Sequence, residues 1–318
     1  MGLLEDGIWR DTARKPGSKG EFVRVAAQLR NWITPDGKGD GEFPAELGRY
    51  HLYVSYACPW AHRTLIFRQL KGLADHIGFS VVSPLMLNNG WEFTEWDGAT
   101  GDRANGLNYM HQIYTKNIAD YSGRCSVPVL WDTKTDSIVS NESSEIIRML
   151  NSAFDGLTGN NEDFYPEDLR NEIDLVNERV YETVNNGVYR SGFAQSQDSY
   201  EEAVTALFDT IDWLEERLSQ QRYLCGDRIT EADWRLFPTM IRFDHVYHGH
   251  FKCNIRRLID YPNLFGHTRE LYQWPGVKET VNMDHIRWHY YYSHPWVNPT
   301  RVVSVGPDID FDAPHGRG

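Results

Sequence analysis

Cys58 opens the tetrad Cys58-Pro59-Trp60-Ala61. An apolar, Tyr-rich strand pattern, Tyr53-Val54-Ser55-Tyr56, stops just before it, and a helical pattern starts at the cysteine. A thiol in the first turn of a helix feels the positive end of the macrodipole and the unpaired backbone N–H groups. Both favour thiolate over thiol, and the thiolate is the nucleophile. Pro59 suits the first helical position, where no N–H is needed. Ala61 stands where a C-x-x-C motif would carry its second cysteine. A disulfide made by Cys58 therefore has no resolving thiol within the motif, and another thiol must open it.

Two further steps in the same half could do chemistry. An X-Pro pair, Val127-Pro128, leads into an apolar run, and Glu142-Ser143 stands at the start of another helical pattern. This X-Pro step resembles that of thioredoxin-like domains, where the proline is typically cis, which would turn the Val127 backbone toward a substrate as an edge-strand partner. A carboxylate and a hydroxyl at a helix N-terminus can hold an amine and a carboxylate together. Cys125, Cys225 and Cys253 lack a setting like that of Cys58 and read as structural. His248, His250 and Cys253 are closely spaced but have no fourth ligand, so no metal is expected there.

The elements that must position these residues follow from periodicity. Leu52 and Val54 mark a strand. Ala61, Leu65, Ile66, Leu70 and Leu73 recur at helical spacing. Gly78 to Val82 reads as a second strand, followed by a polar and aromatic insertion from 84 to 108. Val127 to Trp131 and Ile138-Val139 read as two strands of a hairpin, and Ser143 opens a helix through Ile146, Ile147 and Leu150. The order β-α-β-(α)-β-β-α predicts a mixed sheet over 49–155. Beyond Pro166 two helical stripes appear, Leu169, Ile173, Val176, Val180 and Val184, then Tyr200, Val204, Leu207, Ile211, Leu214 and Leu218. Thr230-Glu231-Ala232-Asp233 reads as a capping box. The expected division is an irregular extension over 1–48, an α/β domain over 49–155, an all-helical domain over 166–292 and a tail over 293–318.

A cysteine at the first helix start, an X-Pro step before the third strand and Glu142-Ser143 before the last helix resemble a thioredoxin-like domain. With the helical second half, the whole resembles a cytosolic glutathione transferase. The likeness narrows on Trp91, Asn185-Asn186-Gly187-Val188-Tyr189, Arg242-Phe243-Asp244 with Tyr247, His250-Phe251-Lys252-Cys253, Asp284-His285-Ile286-Arg287 with Tyr290, and Pro314-His315-Gly316-Arg317. This set resembles the glutathionyl-hydroquinone reductases, the Omega-like Xi class. The resemblance implies that Cys58 attacks the sulfur of a glutathionyl-hydroquinone and that a second glutathione frees it. It implies Trp91, Arg124, Cys125, Ser126, Val127, Glu142 and Ser143 as glutathione-binding residues. It makes Tyr189 the proton donor, and Tyr247 and Tyr290 hydrogen-bond donors to the Cys58 sulfur. It also implies glutathione as cosubstrate, glutathionyl-hydroquinones (halogenated ones among them) as substrates, and a homodimer.

Composition bounds the alternatives. The formal net charge of −13 argues against a general nucleic-acid surface. Four cysteines in 318 residues are too few for a disulfide scaffold and fit a reduced, cytoplasmic protein. No signal peptide is expected from the acidic N-terminus, and no stretch approaches the roughly 20 apolar residues of a membrane span. Two rival readings stay open: an Omega-like thioltransferase or dehydroascorbate reductase using the same Cys58, and a non-enzymatic binding module on a transferase-like fold.

Overall fold

A computed structural model describes residues 2–12, 15–39 and 43–317. Parts of the expected N-terminal extension (1, 13, 14 and 40–42) and the last residue of the tail lie outside the described residues. The chain forms two compact units, and it enters each more than once. The first holds Met1–Arg14, Ala26–Glu162 and Glu279–His289; the second holds Lys15–Val25, Asp163–Lys278 and Tyr290–Gly318.

The first unit is built on a four-stranded sheet. Its strands are β5 (Tyr50–Val54), β6 (Gly78–Val81), β7 (Val129–Asp132) and β8 (Ser137–Ser140), in the order β6-β5-β7-β8. β5 pairs parallel to β6 and antiparallel to β7, and β7 pairs antiparallel to β8. This is the mixed thioredoxin-like sheet that the strand order predicts. β5 is buried along its whole length, as a central strand covered on both faces must be. The crossover from β5 to β6 is α1 (Pro59–Leu70), which buries Ala61, Leu65 and Ile66; after the hairpin α3 (Ser143–Ser152) buries Ile146, Ile147 and Leu150. α2 (Met110–Asn117) follows the largely irregular insertion.

The N-terminal stretch is more ordered than a sequence without periodicity suggests. β1 (Leu3–Glu5) and β2 (Ile8–Arg10) form an antiparallel pair, and β3 (Ile33–Thr34) lies parallel to β4 (Phe43–Pro44). Arg30 bridges Ser140, with the Asn31 N–H on the Val139 carbonyl at 2.9 Å, so the free edge of β8 is covered. Leu4 and Gly123 exchange two backbone hydrogen bonds of 2.9 Å. Strands of two or three residues carry too little pattern to be read locally, and the bridges that tie this stretch down reach from Leu4 to Gly123 and from Arg30 to Ser140.

The second unit is helical. After a short helix α4 (Asp155–Thr158) at the end of the first unit, α5 (Arg170–Val180), α6 (Gly187–Gly192), α7 (Gln197–Gln220), α8 (Glu231–Met240) and α9 (Pro262–Tyr272) follow. α10 (Met283–Ser293) belongs to the first unit as far as His289, and its C-terminal end, from Tyr290, belongs to the second. The stripe on α7 is buried at Val204, Leu207, Ile211, Leu214 and Leu218, and Ser196 caps the helix by accepting from the Ser199 N–H. The stripe expected through Val184 does not belong to one α-helix. α5 ends at Val180 and Tyr181–Asn185 winds as a π-helix, with the Asn186 N–H on the Tyr181 carbonyl at 2.9 Å. A second π segment, Phe243–Tyr247, follows α8. Here Arg242 N–H bonds to the Thr239 carbonyl, while the Arg242 guanidinium takes the Pro238 carbonyl at 2.7 Å. The buried side chain thus satisfies a carbonyl that the loosened backbone leaves. The tail packs as irregular chain: Gln273 donates to the Phe311 and Ala313 carbonyls, and Arg317 Nε reaches Glu270 at 3.0 Å.

Candidate active site

Cys58 is the N-cap residue of α1, in extended conformation, and Pro59 occupies the first turn. Its carbonyl accepts the His62 N–H at 3.0 Å, and its own N–H donates to Ser55 at 3.1 Å. The thiol is half-buried and makes no capping bond to the helix. Cys58 Sγ lies 3.5 Å from the Val127 carbonyl oxygen, and the Val127-Pro128 bond is cis. α1 has no acidic residue in its first turn, so nothing there opposes negative charge on sulfur.

The remaining cysteines sit in different surroundings. Burial pushes the Cys125 thiol up to about 12, and does the same to Cys225. Burial raises Cys253 as well. All three stay protonated at neutral pH, where a thiol is a poor nucleophile.

The 124–127 segment is held by one of its own side chains and by one from α2. The Arg124 guanidinium donates to the Gly2 carbonyl at 3.0 Å, and the Tyr114 hydroxyl donates to the Ser126 carbonyl at 2.9 Å. Glu142 is the N-cap of α3, and its carboxylate accepts from the Ser144 N–H at 3.0 Å and the Ser144 hydroxyl at 2.8 Å. Ser143 follows it at the first helical position and is buried. Arg63 Nη1 approaches the Ser143 hydroxyl at 3.5 Å. Arg63 is 2% exposed and lies over the Trp60 ring at 4.7 Å. This buried cation is a feature that periodicity did not single out. A charged residue on the buried, apolar course of α1 was the only local signal for it.

Trp91 is buried and stacks on His289, with ring centroids 4.7 Å apart. His289 is fixed in turn by its Nδ1 contact of 2.9 Å with the Pro84 carbonyl. Met110 N–H donates to the Trp91 carbonyl. The tryptophan therefore ties the 84–108 insertion to α2 and to α10, whatever else it touches.

The second unit gathers the three tyrosines. Tyr189 and Tyr290 hydroxyls are 2.5 Å apart, and Tyr247 and Tyr290 hydroxyls 3.0 Å apart. Tyr189 comes from α6, Tyr247 from the π segment after α8 and Tyr290 from α10. Phe251 packs against all three rings. A Cβ added at Gly192 would fall 2.2 Å from the Phe251 ring, so the absent side chain is what lets this wall approach α6. Tyr247 and Tyr290 are wholly buried, and burial raises both phenols well above their ordinary range. Both keep their protons at neutral pH. Tyr189 is the half-buried member of the row. Among the described residues, no group of three or more His, Cys, Asp or Glu side chains is arranged to hold a metal ion.

Thus the structure brings Cys58 to Val127 and Ser143 to Arg63, and it joins the three tyrosine hydroxyls. It gives Arg124 a backbone partner and Trp91 an aromatic one.

The family model "Glutathione S-transferase, N-terminal domain" matches residues 57–153, and "Glutathione S-transferase, C-terminal domain" matches 197–270. Glutathionyl-hydroquinone reductase YqjG of Escherichia coli is 54% identical, over 100% of this chain and 98% of its own. Its glutathione-bound structure superposes with a TM-score of 0.92 at 52% identity, covering 99% of each chain. Glutathionyl-hydroquinone reductase PcpF of Sphingobium chlorophenolicum is 54% identical over 96% of both chains. A Xi-class transferase from Natrialba magadii superposes with a TM-score of 0.93 at 49% identity, over 100% of this chain and 96% of its own.

Proposed function

Because this chain belongs to the glutathionyl-hydroquinone reductases, the Xi class of glutathione transferases, we propose that it reduces S-glutathionyl-hydroquinones through Cys58. The observation that carries the reading is a thiol at the start of α1, beside the Val127 carbonyl, with no second cysteine in its motif. The Cys58 thiolate attacks the glutathione sulfur of the substrate. The carbon–sulfur bond breaks, its electron pair takes a proton at the ring carbon, and the hydroquinone leaves. Cys58 is oxidised to a mixed disulfide with glutathione. A second glutathione thiolate attacks that disulfide, restores Cys58 and leaves as oxidised glutathione. The missing resolving cysteine fits this cycle, because the cosubstrate supplies the thiol.

Each group has a part in this reading. The Glu142 carboxylate takes the glutamyl ammonium, while the Ser143 hydroxyl, the positive N-terminal end of α3 and the Arg63 charge favour the glutamyl carboxylate. The Arg124-Cys125-Ser126-Val127 backbone lines the peptide, with Trp91 beside it. Tyr189 delivers the proton to carbon. Tyr247 and Tyr290 serve the Cys58 thiolate as hydrogen-bond donors, a part that their retained protons suit; an unchanged acid limb of the pH–rate profile in Tyr290→Phe would remove it. The same reading makes the protein a cytoplasmic homodimer, checked by light scattering of the purified chain, and admits halogenated quinols, checked by turnover of a chlorinated glutathionyl-hydroquinone.

The deciding experiment is mass spectrometry of the protein mixed with S-glutathionyl-menadiol. A glutathione adduct on Cys58 that free glutathione removes is expected; an unmodified Cys58 with continuing turnover would end the proposal. For the glutathione site, Glu142→Gln should raise the KM for glutathione about tenfold, or about 1.4 kcal/mol. An amide oxygen still accepts the Ser144 N–H, so the unfolding temperature should barely move. An unchanged KM would assign Glu142 to capping alone.

A further inference from the structure

The segment Lys15–Val25 belongs to the second unit, and it lies on the helix that bears Tyr189. It is anchored by main-chain carbonyls. Lys19 accepts from the Ser196 hydroxyl at 2.7 Å and from the Ser199 hydroxyl at 2.9 Å, and Gly20 accepts the Gln195 N–H at 2.9 Å. Beyond this anchor, two side chains reach Tyr189. Phe22 is buried and stacks on its ring, centroid to centroid 6.2 Å. The Arg24 guanidinium lies 5.1 Å from the centre of the same ring. Arg24 Nε also donates at 2.5 Å to the side-chain oxygen of Asn186, the buried N-cap residue of α6. Asn186 in turn accepts the Tyr189 N–H at 3.0 Å.

We propose that Arg24 is a positioning residue for the reaction: it fixes α6 through Asn186 and stabilises the negative charge that develops on Tyr189 when its proton passes to the hydroquinone carbon. This rests on the reading of Tyr189 as the proton donor. A guanidinium over an aromatic face is attracted by the ring electrons. The attraction grows when the phenol loses its proton, because the charge of a phenolate spreads into the ring beneath the cation. Tyr290, 2.5 Å away at the hydroxyl, keeps its own proton and completes the stabilisation from the oxygen end. Tyr189 is then the member of the row from which a proton leaves most readily, although three phenols are chemically alike.

Other charges near Tyr189 are accounted for. Arg190, next in sequence, is paired with Glu182 and Glu202. Arg242, buried, acts on Tyr247 and Tyr290. His250 and His294 are stacked on one another beside Phe251 and Tyr290. Arg24 is distinguished by lying over the Tyr189 ring itself.

The test compares Arg24→Gln, Arg24→Lys and Tyr189→Phe in the full chain on two substrates. S-glutathionyl-menadiol needs a proton on carbon. The mixed disulfide of glutathione and 2-mercaptoethanol needs none, since a thiolate leaves. Arg24→Gln should lower kcat on the first about tenfold and leave the second within about twofold. Protonated Tyr189 is the competent form, so the rate falls where the phenol ionises. Loss of the cation should move that alkaline limb upward by about one pH unit. Arg24→Lys, which keeps the charge and loses the fork, should leave the limb in place. Equal losses in the Gln and Lys variants with an unmoved limb, or a matching loss on the disulfide, would overturn the proposal by making Arg24 only an anchor. Wild-type turnover of glutathionyl-menadiol by Tyr189→Phe would instead overturn the proton-donor reading. A crippled Tyr189→Phe beside a fully active Arg24→Gln would leave that reading standing and remove Arg24.

Discussion

Cys58→Ala is expected to cut turnover of S-glutathionyl-menadiol at least about a thousandfold, since it removes the nucleophile of a covalent cycle. The loss should be chemical and not structural. The Cys58 side chain makes no capping bond to α1, and Pro59 still sets the first turn. The unfolding free energy should change by no more than about 0.5 kcal/mol. Cys58→Ser should be as inactive while still binding glutathione, because a hydroxyl is not ionised at neutral pH and attacks sulfur poorly. Two measurements decide the matter: single-turnover kinetics with the pure variants, and thermal unfolding beside the parent chain. Turnover above a few per cent of the parent's in the alanine variant would show that the glutathionyl sulfur is attacked by something other than Cys58.

Asp233→Ala should have the largest effect on folding. Its carboxylate is fully buried and has four partners. One oxygen accepts the Thr230 N–H at 2.8 Å and the Thr230 hydroxyl at 3.0 Å; the other accepts the Leu224 N–H and lies 2.9 Å from His267 Nε2. Thr230 and Asp233 form the capping box of α8. Removing the carboxylate strands two buried N–H groups and an imidazole, each costing about 1–3 kcal/mol, and loses the cap as well. A loss of about 3–5 kcal/mol is expected, or a fall in unfolding temperature of roughly 10 °C. Asp233→Asn keeps one acceptor oxygen, so only one of the two backbone N–H groups stays paired, and its loss of stability should fall in between. Activity per folded molecule should persist below the transition, as no residue proposed for the chemistry touches Asp233. A stable Asp233→Ala protein would mean that water or a neighbour replaces the carboxylate.

How much could be read before the structure depends on the range of each interaction. The helix start at Cys58, the Thr230–Asp233 box and the stripe on α7 depend on neighbours one to four residues apart, so residue types at fixed spacing report them directly. The mixed character of the sheet follows from the same local patterns plus the rules that a hairpin is antiparallel and that a parallel pair needs a crossover helix. The two π segments are different. They arise where a regular helix must be re-aimed by its packing, and a stripe of period 3.6 runs through Val184 without marking the change at Val180.

The tertiary structure decided what lies at a distance in sequence. Leu4 meets Gly123, Arg30 covers the edge of β8, and Arg63 faces Ser143. Arg24, in an N-terminal stretch with no periodic pattern, lies over Tyr189. Local spacing placed one cysteine without a partner thiol at a helix start, on a thioredoxin-like plan with a helical half. It left Tyr189, Tyr247 and Tyr290 as three among seventeen tyrosines, distinguished only by resemblance. Their hydroxyls join because a helix, a π segment and another helix converge around Phe251, and such convergence is set by the packing of whole elements, which no local spacing records.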